Sequence, residues 1–279
     1  MLSYRHGFHA GNFADVLKHC VQMEIISYLQ KKDTPFDYID THAGAGLYSL
    51  GSEMARKNSE YMTGIGRLFN HSDLPGLKSY LQLIAELNPE KRLKFYPGSP
   101  LIAAEMLRPQ DKAWLFELHP ADAEHLHKNL ARRRQCQVRE EDGLKGLSAL
   151  LPTRSRRALV LIDPPYEQKE DYQRVVGAIQ LIHRKMPNAV TALWYPVVDR
   201  RRIDALEKQL SSSGIRNIQL FELGVRADAA GHGMTSAGMI VVNPPWTLRG
   251  QMEALLPPLA AELSADGGSH FRCETLVAE

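Results

Sequence analysis

Cysteine is scarce in this chain of 279 residues: Cys20, Cys136 and Cys273 are all it has. Their number is odd, their spacings are wide and no CxxC pair occurs, so no disulfide framework, zinc site or dithiol site is encoded. Free, mostly buried thiols in a reducing compartment are expected, with no metal. Long apolar runs are missing as well. Nothing approaches the roughly 20 residues that cross a bilayer, and the opening MLSYRHGFHAG has no apolar signal core. A cytoplasmic protein with no membrane partner is expected. An excess of one charge is also missing. The 34 Lys and Arg stand against 32 Asp and Glu, so any surface for a polyanion must be local. Internal repeats and low-complexity tracts are absent. The remaining composition, 44% hydrophobic and 24% charged, suits one well-buried domain with an insertion, or two small domains.

The order of elements narrows the fold. Residues 12–31 read as a helix, with Phe13, Val16, Leu17 and Cys20 at helical spacing. Phe36 to Asp40 reads as a short strand running into Thr41-His42-Ala43-Gly44-Ala45-Gly46. Residues 53–93 interrupt the pattern with two helix-like stretches. The second, with Leu74, Leu77, Leu81, Ile84 and Leu87, ends at Asn88-Pro89. Strand and helix then alternate. Strands are predicted at 113–118, 135–139, 158–162 and 189–195, with helices at 121–133, 143–151, 169–186 and 201–213. Two further strands, near 215–224 and 237–243, are joined by a loop too short for a helical crossover, so they must be antiparallel. The prediction is an α/β fold: a mostly parallel, doubly wound sheet of the class I (Rossmann-like) methyltransferase kind, closed by an antiparallel hairpin. Residues 1–52 and 94–279 would form that domain, and 53–93 an inserted helical subdomain.

Such sheets bind ligands at the carboxyl ends of their strands, near the switch in strand order. The first strand carries a glycine-containing turn there, at Gly44 and Gly46. Glycines also occur in strand-to-helix turns that bind nothing. At the end of the second strand, Glu117 can accept both ribose hydroxyls of an adenosine ligand. After the third, Asp142 can accept an adenine amino group and Gly143 can offer its N–H, although Asp142 also suits a helix N-cap. A nicotinamide enzyme would show G-x-G-x-x-G/A, and here Ser49 stands where the third small residue belongs.

The fourth strand ends in Asp163-Pro164-Pro165-Tyr166. The exocyclic amine of adenine is a poor nucleophile, because its lone pair is delocalised into the ring. Asp163 can accept one of its N–H groups and the Pro164 carbonyl the other, turning the lone pair toward a methyl donor. Tyr166 offers a ring to stack on the base. Rate acceleration would come from positioning and fixed dipoles, with Asp163 taking the surplus proton. A base within a helix must be flipped out to reach such a pocket. A proline-rich turn with a capping Asp is the plain alternative. Asn243-Pro244-Pro245-Trp246 is a competing motif. It follows the last predicted strand, at the expected sheet edge, and reads as a chain reversal.

With these motifs in place the chain resembles the RlmJ family of 23S ribosomal RNA adenine-N6 methyltransferases. The likeness runs nearly end to end through MLSYRHGFHAGNFADVLKH, DTHAGAG, YPGSP, ELHP, EDG, LVLIDPPYE, ALWYPVV and GMIVVNPPW. The resemblance implies S-adenosyl-L-methionine as cofactor and 23S ribosomal RNA as partner, with no obligatory protein partner. It implies cofactor contacts at His19, His42, Ser99, Glu117, Asp142 and Gly143, with Lys18 and Asp163 placed beside them. It makes Asp163 the catalytic proton acceptor and Tyr4 an RNA contact. It also brings a link to use of external DNA as a nutrient. Tyr4, Arg5, His6, His9, Lys18 and His19 gather aromatic and basic groups suited to phosphate, base or carboxylate. Further basic groups stand at Arg132–Arg134, Arg154/Arg156/Arg157 and Arg200–Arg202, where solvated helix ends are the plain reading. The rival readings are a guanine-N2 ribosomal RNA methyltransferase, a glutamine-N5 protein methyltransferase, and a non-catalytic nucleic-acid-binding factor on the same fold. Asn is favoured at the first motif position by the glutamine enzymes, and intact Asp163, Tyr166, Glu117 and Asp142 argue against a dead fold.

Overall fold

The computed structural model describes residues 5–69, 74, 76–228 and 233–279. A first helix, α1 (Phe13–Leu29), opens on Asn12, whose side chain accepts the Asp15 N–H as an N-cap. Strand β1 (Asp37–Asp40) follows. It lies parallel to β4 (Lys112–Phe116) on one side and to β6 (Ala158–Ile162) on the other, with Asp37 opposite both Lys112 and Ala158. Strands β5 (Cys136–Arg139) and β7 (Val190–Val197) continue the parallel sheet outward. The order β7-β6-β1-β4-β5 reverses direction at β1, so the carboxyl ends of β1, β4, β5 and β6 open onto one crevice.

The closing hairpin is present as β8 (Ile218–Gly224) and β9 (Ser236–Val242). It is β9 that sits between β7 and β8, antiparallel to both. The Asn243-Pro244-Pro245-Trp246 turn therefore follows an interior strand, not the predicted edge. Because β9 runs backwards, that turn emerges at the amino end of β7, where Asn243 Nδ2 donates to the Asn188 carbonyl at 3.0 Å. It is far from Asp163 for a topological reason that the sequence reading did not supply.

The chain does not stop at the hairpin. Helix α10 (Leu248–Leu263) and strand β10 (His270–Val277) follow, and β10 pairs antiparallel with β8 as an eighth, edge strand. A second, two-stranded sheet joins β2 (Leu47–Ser49) to β3 (Phe95–Pro97). Helices cover both faces of the main sheet. Helix α1, α5 (Ser99–Met106), α6 (Pro120–Asn129) and α10 bury Leu17, Ile26, Ile102, Leu126 and Leu256 in one core. Helices α7 (Gly143–Leu150), α8 (Asp171–Lys185) and α9 (Arg200–Ser211) bury Leu147, Ile179 and Leu206 in the other.

Between β2 and β3 run α2 (Glu53–Asn58), a 3-10 turn at Glu60–Met62, α3 (Ile65–Leu68) and α4 (Lys78–Leu87). Ile65, Leu68, Tyr80 and Ile84 are buried in the same core as α1 and α10. Among the described residues no helix is long and apolar enough to cross a membrane, and no cluster of His, Cys, Asp and Glu could hold a metal ion. Cys20, Cys136 and Cys273 are free thiols.

Candidate active site

One cleft lies over the carboxyl ends of the parallel strands. Its lining includes His6, Lys18, His42, Gly44, Ser99, Glu117, Asp142, Gly143, Asp163 and Pro164. These come from seven separate stretches of chain, so the fold assembles them. The turn after β1 begins the site. Gly44 has φ +63° and Gly46 φ +78°, left-handed conformations that glycine adopts without strain.

Glu117, at the end of β4, shapes that turn. Its Oε2 accepts the Gly44 N–H at 2.7 Å and its Oε1 accepts the His119 N–H at 2.7 Å. Burial raises its pKa, and these two N–H groups oppose the rise. A carboxylate has about four acceptor sites, so each oxygen keeps one for a ligand hydroxyl. Asp142 N-caps α7 through Oδ1, which accepts from Leu144 N and Lys145 N, while Oδ2 takes Arg174 Nη2 at 2.8 Å. The capping alternative is therefore realised, and a lone pair on Oδ2 still faces the cleft. Gly143 lets α7 approach the β1 turn, since a Cβ there would fall 2.2 Å from the Thr41 carbonyl oxygen.

His42 is shielded, and burial lowers its pKa to about 4. Thr41 Oγ1 donates to the Leu161 carbonyl, so His42 Nδ1 must donate to Thr41 Oγ1, at 2.8 Å. With burial keeping the ring neutral, Nε2 is then the acceptor. Ser99 Oγ donates to Asp40 Oδ2 at 2.7 Å. Asp40 also accepts from Tyr38 Oη and from the His42 N–H, and burial raises its pKa.

Asp163 closes the other side of the cleft. Its Oδ2 accepts from Lys18 Nζ at 2.6 Å, and the same ammonium lies 2.8 Å from Asp15 Oδ1. His6 Nε2 meets Asp15 Oδ2 at 2.9 Å, which completes a line His6–Asp15–Lys18–Asp163. Lys18 is 3% exposed and Asp15 2%. Burial opposes both charges, yet each outweighs it for the other. Lys18 is raised by Asp15 and Asp163, and Asp15 is held well below the usual carboxylate range by His6 and Lys18. Among the described residues Lys18 is the side chain bonded to Asp163, so Oδ1 is the oxygen left for a target N–H.

Several expected residues sit elsewhere. His19 does not reach the cleft lining. Its ring stacks on Tyr96 at 5.6 Å and its Nδ1 bonds Tyr96 Oη at 2.8 Å. Burial lowers its pKa to about 3. Tyr166 is likewise off the lining. Its hydroxyl donates to the Trp194 carbonyl, and its ring packs on Tyr172 at 4.6 Å. Lys18, expected as a cofactor contact, does line the cleft, but its ammonium is engaged by two carboxylates. Tyr4 lies outside the described residues. The next residue, Arg5, pairs at 2.9 Å with Asp122, a cleft-lining residue on α6.

Asp15, Asp40, Arg174 and the Arg5–Asp122 pair were not foreseen. A signal for the first did exist. Asp15 and Lys18 stand three residues apart on a helix that is otherwise buried nearly all round, where unpaired charges do not persist.

The geometry has counterparts. A family model described as ribosomal RNA large subunit methyltransferase D, RlmJ, matches residues 33–276. A protein of Escherichia coli called ribosomal RNA large subunit methyltransferase J is 49% identical over 280 residues, covering 100% of both chains. A protein of the same description from Haemophilus influenzae is 47% identical, again over 100% of both. A crystal structure of a Legionella pneumophila protein, 33% identical, superposes with a TM-score of 0.89 over 96% of this chain and 98% of that one.

Proposed function

The chain belongs to the RlmJ family of ribosomal RNA large subunit methyltransferases, and on that premise we propose that it methylates the N6 amine of an adenine in 23S ribosomal RNA, using S-adenosyl-L-methionine. The observation that carries the chemistry is Asp163, held by Lys18 at the carboxyl end of β6 on the rim of a cleft that also holds Glu117 and Asp142.

The lining fits an adenosine cofactor. Glu117 and Asp142 keep acceptor sites for ribose hydroxyls and an adenine amine, and His119 Nδ1 is buried at the cleft with no partner among the described residues. When bound, the cofactor supplies a methyl group on a sulfonium. Glu117, Asp142 and Gly143 would hold its adenosine half at the ends of β4 and β5. Ser99 would act through Asp40, fixing the His42 amide, with the neutral His42 facing the cleft. His19 would act through Tyr96 from behind.

Asp163 Oδ1 would accept one N–H of the target amine and the Pro164 carbonyl the other. This draws the nitrogen lone pair out of the ring plane and toward the methyl group. Lys18 holds Oδ2, so the carboxylate cannot rotate away, and the oriented acceptors are in place before the base arrives. After transfer the nitrogen carries one proton too many, and Asp163 is positioned to take it. Tyr166, tied to Trp194 and Tyr172, stiffens the loop that carries Asp163. Stacking on the base would need its ring to leave that packing.

Asp163→Ala tests the assignment. Methyl transfer should fall by about 10³-fold or more, while calorimetric titration shows adenosylmethionine binding within a few-fold of the unaltered protein. Near-normal turnover in this variant would remove Asp163 from the mechanism.

A further inference from the structure

The basic groups of the sequence divide cleanly by topology. Arg132 and Arg134 precede β5, and Arg154, Arg156 and Arg157 precede β6, so both groups lie at the amino ends of the parallel strands, away from the cleft. Arg157 is absorbed there by the Leu29 and Thr34 carbonyls, and Arg133 by Glu105. Arg200, Arg201 and Arg202 instead begin α9 just after the carboxyl end of β7, the strand next to the one that carries Asp163.

Within that trio the roles differ. Arg200 is an anchor. Its guanidinium grips the fully buried Glu222 through two nitrogens at 2.9 and 2.7 Å, and its Nε meets Asp228 at 2.7 Å. Tyr195 Oη supports Glu222 at 2.8 Å. This clamp fixes the first turn of α9, from which Arg201 and Arg202 project. The Arg201 side chain is 92% exposed and that of Arg202 45%, and each meets Asp199 only at 3.7 Å. Two exposed guanidiniums on a fixed turn present planar donor forks of the kind that match phosphate oxygens.

Their position says which anion. The acidic checkpoints Glu117 and Asp142 lie at the ends of β4 and β5, so the cofactor half of the crevice is on that side of β1. The target base must enter from the other side, over β6 and β7. The catalytic loop and the first residue of α8 bear Glu167, Glu170 and Asp171 against the single cation Lys169, a net negative stretch that disfavours phosphate. Beyond it Tyr166 packs on Tyr172 in the first turn of α8, and α8 packs against α9, which carries Arg202. A flipped-out adenine drags its flanking phosphates to the rim, where Lys169 is the exposed cation of the loop and Arg201 and Arg202 are the exposed arginines at the start of α9. We propose that Arg201 and Arg202 form the phosphate-binding rim for the RNA strand on either side of the target adenine. This rests on the RNA-methyltransferase reading above.

The test compares Arg201→Gln/Arg202→Gln with Arg132→Gln/Arg134→Gln, which removes equal charge at the far end of the sheet. Initial rates on 23S RNA are measured across a salt series, and adenosylmethionine affinity by calorimetry. In the first variant KM for RNA should rise about tenfold, and the slope of log affinity against log salt should shrink by about 1.5, since each lost phosphate contact removes about 0.7–0.9. Its kcat and cofactor affinity should stay within two-fold, and the control pair should match the unaltered protein. Unchanged KM and slope, or an equal effect in the control pair, overturns the rim while leaving the function reading intact. Absence of any N6-methyladenosine with the unaltered protein overturns both.

Discussion

At the scale of single residues the site depends on charges placed where water cannot reach them. Lys18 illustrates this. Its ammonium has two carboxylates within 2.8 Å in a buried setting, so removing it leaves Asp15 Oδ1 without its cation and frees Asp163 to turn. Lys18→Met should lower unfolding free energy in urea titration by about 3 kcal/mol and cut turnover at least tenfold. Full stability together with full turnover would show that the pair is incidental. His19 gives a prediction with a sign. Burial lowers its folded pKa to about 3, below the unfolded value near 6.5. Between these values the unfolded chain binds the extra proton, so stability from this group is present above pH 6.5 and is lost as pH falls. Relative to His19→Gln, the unaltered protein should lose about 1 kcal/mol of unfolding free energy from pH 7 to pH 5.5. Parallel pH profiles for the two would contradict a neutral, buried His19. The family resemblance, together with a run of aromatic and basic groups, implied a ligand contact; the packing against Tyr96 places the His19 ring off the cleft lining.

At the scale of elements, residues 53–93 are the instructive case. We propose that they remain an insertion in the Rossmann-like domain formed by 1–52 and 94–279, supplying none of the cleft lining. They are nevertheless joined to the core. Ile65 N donates to the Gly11 carbonyl, Asn12 and His9 both bond Glu60, and Tyr80 Oη meets Tyr96 Oη at 2.7 Å. Replacing 53–93 with a short linker should therefore uncover α1 and α10 and abolish a cooperative unfolding transition in calorimetry. A deletion chain that melts cooperatively near the original temperature would make the stretch a true appendage. The main strands and helices were legible because their apolar periods are long and regular. Strands β2 and β3 have three residues each, too few to show a period. Helix α10 contains Pro257 and Pro258, residues that ordinarily end a helix, and it holds because Leu255, Leu256 and Leu259 bury its inner face. Strand β10 is an edge strand separated from its partner, β8, by strand β9 and helix α10, a pairing with no local signal.

At the scale of the whole molecule a near-neutral chain that acts on a polyanion needs a local surface for it, and we propose that segregated charge supplies one. On the proposed reading, acidic groups would receive the cofactor over β4 and β5 and the carboxylate of β6 would serve the chemistry, while exposed arginines follow β7. The sequence showed each motif and its order. It could not show that β9 inserts beside β7, and with that, why the Asn243 turn faces away from the cleft while the Arg200 turn lies beside it. The central claim is that this arrangement methylates adenine N6 in RNA. It is tested most directly by incubating the protein with tritiated adenosylmethionine and, separately, stripped 23S RNA, 16S RNA, DNA and protein, then digesting the RNA to nucleosides and separating them. The account predicts label in N6-methyladenosine from 23S RNA, lost in Asp163→Ala. Label in a methylated guanosine, or in protein with none in 23S RNA, would contradict it.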